Sequence, residues 1–352
     1  MSYTTIDKPT DYFNTVLYTG NGASSRDITG VGFQPDFTWI KQRNGTFSHV
    51  LGNSVSGDNK FLTTNSSSAE STDSDKFRTF VSDGFQVGSH NGVNGSSNTY
   101  VGWSWLSGTT FTNDASSTGV GNLDSAGSAS DISGLSVVTY TGGTGSAATI
   151  KHGLSSAPKM MWVKPLSGSG VWLVYHKDLP IKGQLQLQSS DAAYSHSGNI
   201  YWNGTHPTSS VFSIGTSGAV NASENYVVYC FADVKGYSKI GSYSGNSNAD
   251  GIFVYTGFKP AFIITKASTT GQSWQLYDTK RNPFNQSNKV LFPNLNYAEQ
   301  DDSSAAAIDI LSNGFKQRVN DAGGNGSGND YIYMAFAESP FVTSTGIPTT
   351  AR

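Results

Sequence analysis

The chain has 352 residues, more than one compact core usually organises, so two or three modules are expected. Its charged fraction of 13%, about half the ~25% of an ordinary soluble domain, and its 40 glycines leave little material for solvated helix faces and suit strands and tight turns. A net charge of -3, a pI near 6.0 and the lack of any Lys/Arg run exclude a basic footprint for nucleic acid, and no apolar run approaches the ~20 residues of a membrane span.

In chain order, residues 1–12 read as an N-terminal arm without the basic start and apolar stretch of a secretory signal, so folding in the cytoplasm is expected. Residues 13–106 form a first β unit with four landmarks: Tyr18-Thr19-Gly20, a strand led by Pro35 and ending at Lys41, Phe85 after a turn, and a strand opening at Tyr100. Residues 107–134, rich in Gly, Ser, Thr and Ala, read as a linker. The landmarks then recur in residues 135–236 as Tyr140-Thr141-Gly142, Pro158 to Lys164, Phe212 and the strand from Tyr226. They recur again in residues 237–341 as Tyr243-Ser244-Gly245, Pro260 to Lys266, Phe315 and the strand from Tyr331. Residues 342–352 are a C-terminal tail.

The spacing shows that these matches are not accidents. Tyr18 to Tyr140 is 122 residues, Lys41 to Lys164 is 123, Phe85 to Phe212 is 127 and Tyr100 to Tyr226 is 126. From the second copy to the third the four intervals run from 102 to 105 residues. Missing a repeat miscalls an architecture; here the expected fold is all-β, three tandem antiparallel β-sandwich domains of jelly-roll-like character. The strand opening on Tyr is nearly continuous in apolar residues in copies two and three, so it is expected to be central and covered on both faces. Copies two and three have no slack between them and should dock closely. Ser303 to Leu311 reads as a loop or a short helix.

Catalytic motifs are absent from the sequence: there is no Gly-x-Ser-x-Gly, Walker loop, His-Glu-x-x-His or Gly-x-Gly-x-x-Gly. The six histidines share no position across the copies, and Cys230 is the single cysteine, so neither a metal nor an internal disulfide is expected. The pairs Asp73/Asp75 and Asp301/Asp302 could serve glycan hydrolysis only opposite a further acid, and both lie in Ser-rich loops. Asp321 to Asp330 lacks the ligand spacing of an EF-hand and reads as a hairpin turn. No cofactor is expected. What remains is an aromatic and amide-rich loop in copy two, in which Tyr194, His196, Tyr201, Trp202 and His206 are candidates for contact with a glycan or a partner, against the plainer reading of an aromatic plug.

The phrases Leu17 to Gly22, Gly30 to Lys41, Pro207 to Gly215 and Tyr331 to Glu338 resemble a repeat family of virion structural, tail-fibre-like proteins of tailed, notably marine, bacteriophages, and the resemblance covers Phe13 to Phe341. It implies a non-enzymatic tail-fibre-like or capsid-surface subunit located in the virion. It brings no catalytic residue with it. The implied partners are other head or tail subunits, further copies of the chain, such as a trimer, and host-surface glycan, with neither nucleic acid nor membrane. A glycan-degrading tailspike-like enzyme and a carbohydrate-binding adhesin or lectin are the competing readings.

Overall fold

The computed structural model describes residues 3–143 and 145–348, and over these the chain is almost entirely β, in several antiparallel sheets of which none closes on itself. The first copy supplies β1 (Phe13–Thr19), β2 (Phe37–Gln42), β3 (Val50–Asn53) and β4 (Thr99–Trp105), paired in the order β1-β4-β2-β3. Next come β5 (Thr109–Asn113) and β6 (Ser125–Ser130), then β7 (Leu135–Thr141), β8 (Met160–Pro165), β9 (Leu173–His176), β10 (Gly183–Gln186) and β11 (Asn225–Phe231). Four of these repeat the same order as β7-β11-β8-β9. The third copy repeats it once more, β12-β15-β13-β14, with β12 (Ser238–Ser244), β13 (Phe258–Ala267), β14 (Gln275–Asp278) and β15 (Asp330–Pro340). The Tyr-led strands β4, β11 and β15 are therefore all interior, and each is buried along nearly its whole length.

One aromatic cluster explains three of the four landmarks. Register places Tyr18 opposite Tyr100, Tyr140 opposite Tyr226 and Tyr243 opposite Tyr331, and the rings stack with centroids 5.1, 5.0 and 4.9 Å apart. Phe85, Phe212 and Phe315 pack edge-on against the first ring of each pair at 6.4, 6.1 and 6.0 Å. The hydroxyls of Tyr100, Tyr226 and Tyr331 accept from the N–H of Gly95, Ala222 and Gly326 and donate to the carbonyls of Asn91, Gly218 and Ala322. Each Tyr thus satisfies a turn whose backbone groups would otherwise be buried without partners. Asp321 to Asp330 is one of these turns.

The remaining landmark, the second in chain order, builds the centre of the molecule. Alternation along β2, β8 and β13 sends Phe37 and Trp39, Met160 and Trp162, and Phe262 and Ile264 into one core shared by all three copies. The opposite faces, carrying Ile40, Met161 and Ile263, belong to three separate smaller cores, each closed by a short sheet or hairpin. In the shared core Phe37 meets Tyr229 at 4.6 Å, Phe231 meets Phe336 at 6.2 Å, and Phe336 meets Phe13 at 5.3 Å, so each copy touches both others.

Polar bonds close the same ring. The residue just before β3, β9 or β14 is His49, Trp172 or Trp274. Trp172 Nε1 donates to Thr63 O at 2.8 Å and Trp274 Nε1 to Gln186 O at 3.0 Å. Because Trp39 Nε1 donates to His49 Nδ1, the His49 proton sits on Nε2, which donates to Phe292 O at 3.0 Å. Copy two thereby holds copy one, copy three holds copy two, and copy one holds copy three.

Two sequence expectations need correction. The stretch 107–134 is folded rather than a loose linker: β5 and β6 form a hairpin that pairs onto β7 and covers its edge. Its small residues are what allow the approach, since a Cβ on Gly127 would lie 2.2 Å from Val137 O. Ser303 to Leu311, expected as a loop or a short helix, is a loop over 303–307, where the Asp302 carboxylate accepts from the N–H groups of Ser304 and Ala305, and then a strand, Ile308–Leu311. The N-terminal arm is also tied down, Tyr3 donating to Gly257 O and Thr4 to Lys235 O.

Candidate functional site

The loop singled out in copy two lies between β10 and the strand Val211–Ile214. Tyr194 and Ser195 pair with Gln184 and Gly183 of β10, which carries the loop onto the exposed edge of the eight-stranded sheet. A left-handed pair, Asn203 and Gly204 with φ of 51° and 65°, then turns the chain back. Lys182 Nζ donates to Ser197 O at 2.9 Å, and Gly215 N to Tyr201 O at 2.8 Å, fixing the loop at both ends.

Three of the five candidates come together. Tyr194, His196 and Tyr201 form a ladder of edge-on rings, 6.4 Å from Tyr194 to His196 and 6.4 Å from His196 to Tyr201. Tyr194 is 53% exposed, while His196 and Tyr201 are half-buried. Tyr194 and Tyr201 line a cleft of about 500 Å³ with Gln184, Gln186, Asp191, Ala192 and Ala193. His196 Nδ1 accepts from Gly198 N at 3.0 Å, so a neutral ring carries its proton on Nε2. Burial, with Tyr194 beside it, raises the Tyr201 hydroxyl above its ordinary value, so it stays a donor at neutral pH.

The other two candidates do other work. Trp202 is buried, donates from Nε1 to Gly183 O at 2.9 Å and packs edge-on to Tyr175, so it supports the loop from beneath and offers no face to a ligand. His206 is exposed and its Nδ1 is 2.7 Å from the Tyr175 hydroxyl, apart from the ladder.

Sequence reasoning missed the glutamines. Gln184 is 4% exposed and its Oε1 has no hydrogen-bond partner, although it lines the cleft. A buried amide oxygen left without a donor is a costly arrangement that a ligand hydroxyl would relieve. The alternation Gly183-Gln184-Leu185-Gln186 was visible, but nothing in it tells which glutamines face a cleft.

The lysines ending the second landmark were also underread. Lys41, Lys164 and Lys266 are fully buried at equivalent places, and none is in the ion pairs found among the described residues, although Glu224 and Asp191 act on Lys164 and Lys266 through their charge. Their ammonium groups donate to backbone carbonyls: Lys41 to Gln42 and Gly45, Lys164 to Ser67 and Gly170, Lys266 to Ala267. Burial lowers Lys41 to about 7 and Lys164 and Lys266 to about 8. Of these bonds only Lys164 to Ser67 crosses between copies, from copy two into copy one, while Lys41 and Lys266 tie down backbone of their own copies. Asp73 and Asp75 lie side by side, the Asp75 N–H donating to Asp73 Oδ1, and Asp301 accepts from Asn288. Among the described residues no group of three His, Cys, Asp or Glu could hold a metal ion.

The chain matches a known family. A family model described as Domain of unknown function (DUF7483) covers residues 8–340. The chain belongs to this family. The DUF7483 match takes in all three copies and the hairpin between the first two. No curated protein matches the chain.

Proposed function

We propose that this DUF7483 chain is a non-enzymatic structural protein of a bacteriophage particle, a tail-fibre-like or capsid-surface subunit built from three antiparallel, jelly-roll-like sandwich units, assembled in the host cytoplasm and carried in the virion. The observation behind this reading is the ring itself: three copies stapled cyclically by His49, Trp172 and Trp274 around one aromatic core. Such a body is stiff, and its repeated landmarks are spent on holding it together. The phage-like phrases at Gly30 to Lys41 and Tyr331 to Glu338 add the particle. Its partners are then other virion subunits, including further copies of the chain. Washed, purified particles should contain the protein in fixed stoichiometry by quantitative mass spectrometry; particles lacking it would end the proposal.

The copy-two cleft favours a second role, contact with host-surface glycan. Tyr194 and Tyr201 offer ring faces to the C–H surface of a sugar, while the Gln184 oxygen, Gln186 and Asp191 offer hydrogen bonds to its hydroxyls. On a glycan array the wild-type chain should bind a host polysaccharide fragment, and Tyr194→Ala with Tyr201→Ala should lose that signal. Incubated with the intact polysaccharide, the chain should bind without releasing oligosaccharides; release would put the tailspike-like enzyme in its place, and binding by a chain never found in particles would favour a free adhesin.

A further inference from the structure

The three copies meet at three versions of one seam, and the seams are filled differently. Equivalent backbone bonds mark them: Glu299 N to Arg43 O at 2.7 Å where copy three meets copy one, Glu70 N to Leu166 O at 3.0 Å where copy one meets copy two, and Ala193 N to Ser268 O at 2.7 Å where copy two meets copy three. Arg43, Leu166 and Ser268 each lie two residues beyond a buried landmark lysine.

Where copy three meets copy one, a carboxylate is fully used. Arg43 holds Glu299 with a two-pronged contact, Nε to Oε2 at 3.0 Å and Nη2 to Oε1 at 2.9 Å, and Arg281 Nη1 adds a third bond at 3.0 Å. Burial pushes the Glu299 carboxyl up, but the two guanidinium groups outweigh it and hold it below the usual carboxylate range. Planar forks of this kind are the strongest recognition a carboxylate receives in proteins.

Where copy one meets copy two, Glu70 stands in the same place and both arginines are gone. Leu166 occupies the position of Arg43. Ser56 occupies that of Arg281, as the local bonds show: Ser56 N donates to Asn53 Oδ1 at 2.9 Å just as Arg281 N donates to Asp278 Oδ1 at 2.8 Å. The Glu70 side chain is only 9% exposed, its nearest cation is Lys60 Nζ at 3.5 Å, and its Oε1 has no hydrogen-bond partner. Ser56 Oγ also has none. Both line a cleft of about 600 Å³ whose other walls include Leu166, Asn113, Asp124 and Asn225. Asp114 is on the same wall and stays ionised, since the Ser116 and Ser117 hydroxyls and the Ser117 N–H hold it below its ordinary value.

We propose that the cleft between copies one and two is a receptor for a guanidinium group from outside the chain, with Glu70 as the fork's acceptor, Ser56 Oγ as a third acceptor and Leu166 against the aliphatic stem. The occupied version of this socket, Arg43 on Glu299, lies in the same molecule and shows which cation its geometry suits. Lys60, at ion-pair rather than hydrogen-bond distance and 44% exposed, is free to swing outward as the guanidinium enters. Asp114 and Asp124 at the wall draw cations toward the opening. The group could be an arginine of a partner polypeptide or a free guanidino compound; the chemistry at Glu70 is the same.

Calorimetric titration of the full chain tests this with four probes: N-acetyl-arginine amide, its lysine counterpart, methylguanidinium, and the peptide acetyl-Gly-Arg-Gly-amide. The arginine probe should bind saturably and the lysine probe about tenfold more weakly or less. Glu70→Gln, which keeps the shape, should weaken the arginine probe by about tenfold, the loss expected when a charged hydrogen-bond acceptor is neutralised. Leu166→Arg should abolish binding and raise the unfolding midpoint, because the chain would then fill its own socket as Arg43 does. A peptide binding more tightly than methylguanidinium identifies a polypeptide source, and equal affinities a free compound. Equal binding of the lysine and arginine probes, or undiminished binding by Glu70→Gln, would overturn the assignment.

Discussion

At the scale of single residues, the chain repeats side chains whose polar atoms serve buried backbone. Tyr100, Tyr226 and Tyr331 are bonded this way, and so are the three landmark lysines, which pair with carbonyls instead of carboxylates. That choice makes stability depend on pH. A folded lysine whose value is lowered holds fewer protons than the unfolded chain between its folded value and the free value of about 10.4, so stability rises with pH across that interval. For Lys41 the interval opens at about 7. Urea unfolding at pH 7 and pH 9.5 should show the wild type gaining stability, with Lys41 contributing at most about 1.4 kcal/mol per pH unit. Lys41→Met should remove its share of the gain, and the buried tyrosines, common to both proteins, cancel in the comparison. An identical pH profile for the two would show that Lys41 does not titrate in this range. The landmark positions were legible in the sequence because three copies kept register. What could not be read was that Lys41, Lys164 and Lys266 end inside the molecule, since a lysine at a strand end ordinarily reaches solvent.

At the scale of elements, strands were legible where β-branched and aromatic residues concentrate, as in β9 and β11, and illegible where they do not. Apart from Phe111 and Asn113 the strands β5 and β6 are made of Thr, Ser, Ala and Gly, and composition alone made them a linker. The hairpin folds because small residues pass close to β7, with Gly127 at the tightest point, and because a short helical turn capped by Asp114 joins the two strands. Gly127→Val should therefore detach the hairpin. Hydrogen exchange should rise through 109–130 and along the β7 edge it covers, while β11, in the middle of the sheet, keeps its protection. Unchanged protection in 109–130 would mean that the close approach is not what limits this strand. The copy-two loop was legible in part for a similar reason. Its aromatic density was plain, but Trp202 differs from Tyr201 in which way the chain directs it beside the left-handed Asn203-Gly204 turn, and sequence alone does not show that direction.

At the scale of the whole molecule, three spaced landmarks suggest three sandwiches in a row, yet no local pattern tells whether the copies stand apart or lean together. The residues that decide are Phe13, Phe37, Trp105, Tyr229, Phe231, Phe262 and Phe336, and although five of them, Phe37, Tyr229, Phe231, Phe262 and Phe336, fall in the landmark strands, nothing in the sequence says that their faces meet another copy. In an open repeat array each unit contacts only its neighbours, the ends need polar caps, and stability is close to a sum of units and interfaces. Here the ends meet: His49 of copy one bonds to copy three as Trp172 does to copy one, and the core belongs to no copy alone. A single copy cut from the ring would expose the shared-core faces of its strands, in copy two Trp162, Trp172, Tyr229 and Phe231. Unfolding should accordingly be one cooperative event, with calorimetric and van't Hoff enthalpies in agreement. Trp172→Phe leaves Thr63 O without its donor, a loss of about 1–3 kcal/mol. Because the copies share one core, that loss should lower the midpoint of the entire transition and not split a shoulder from it. Three resolvable transitions in the wild type, or a Trp172→Phe effect confined to one of them, would mean that the ring is three independent beads in contact.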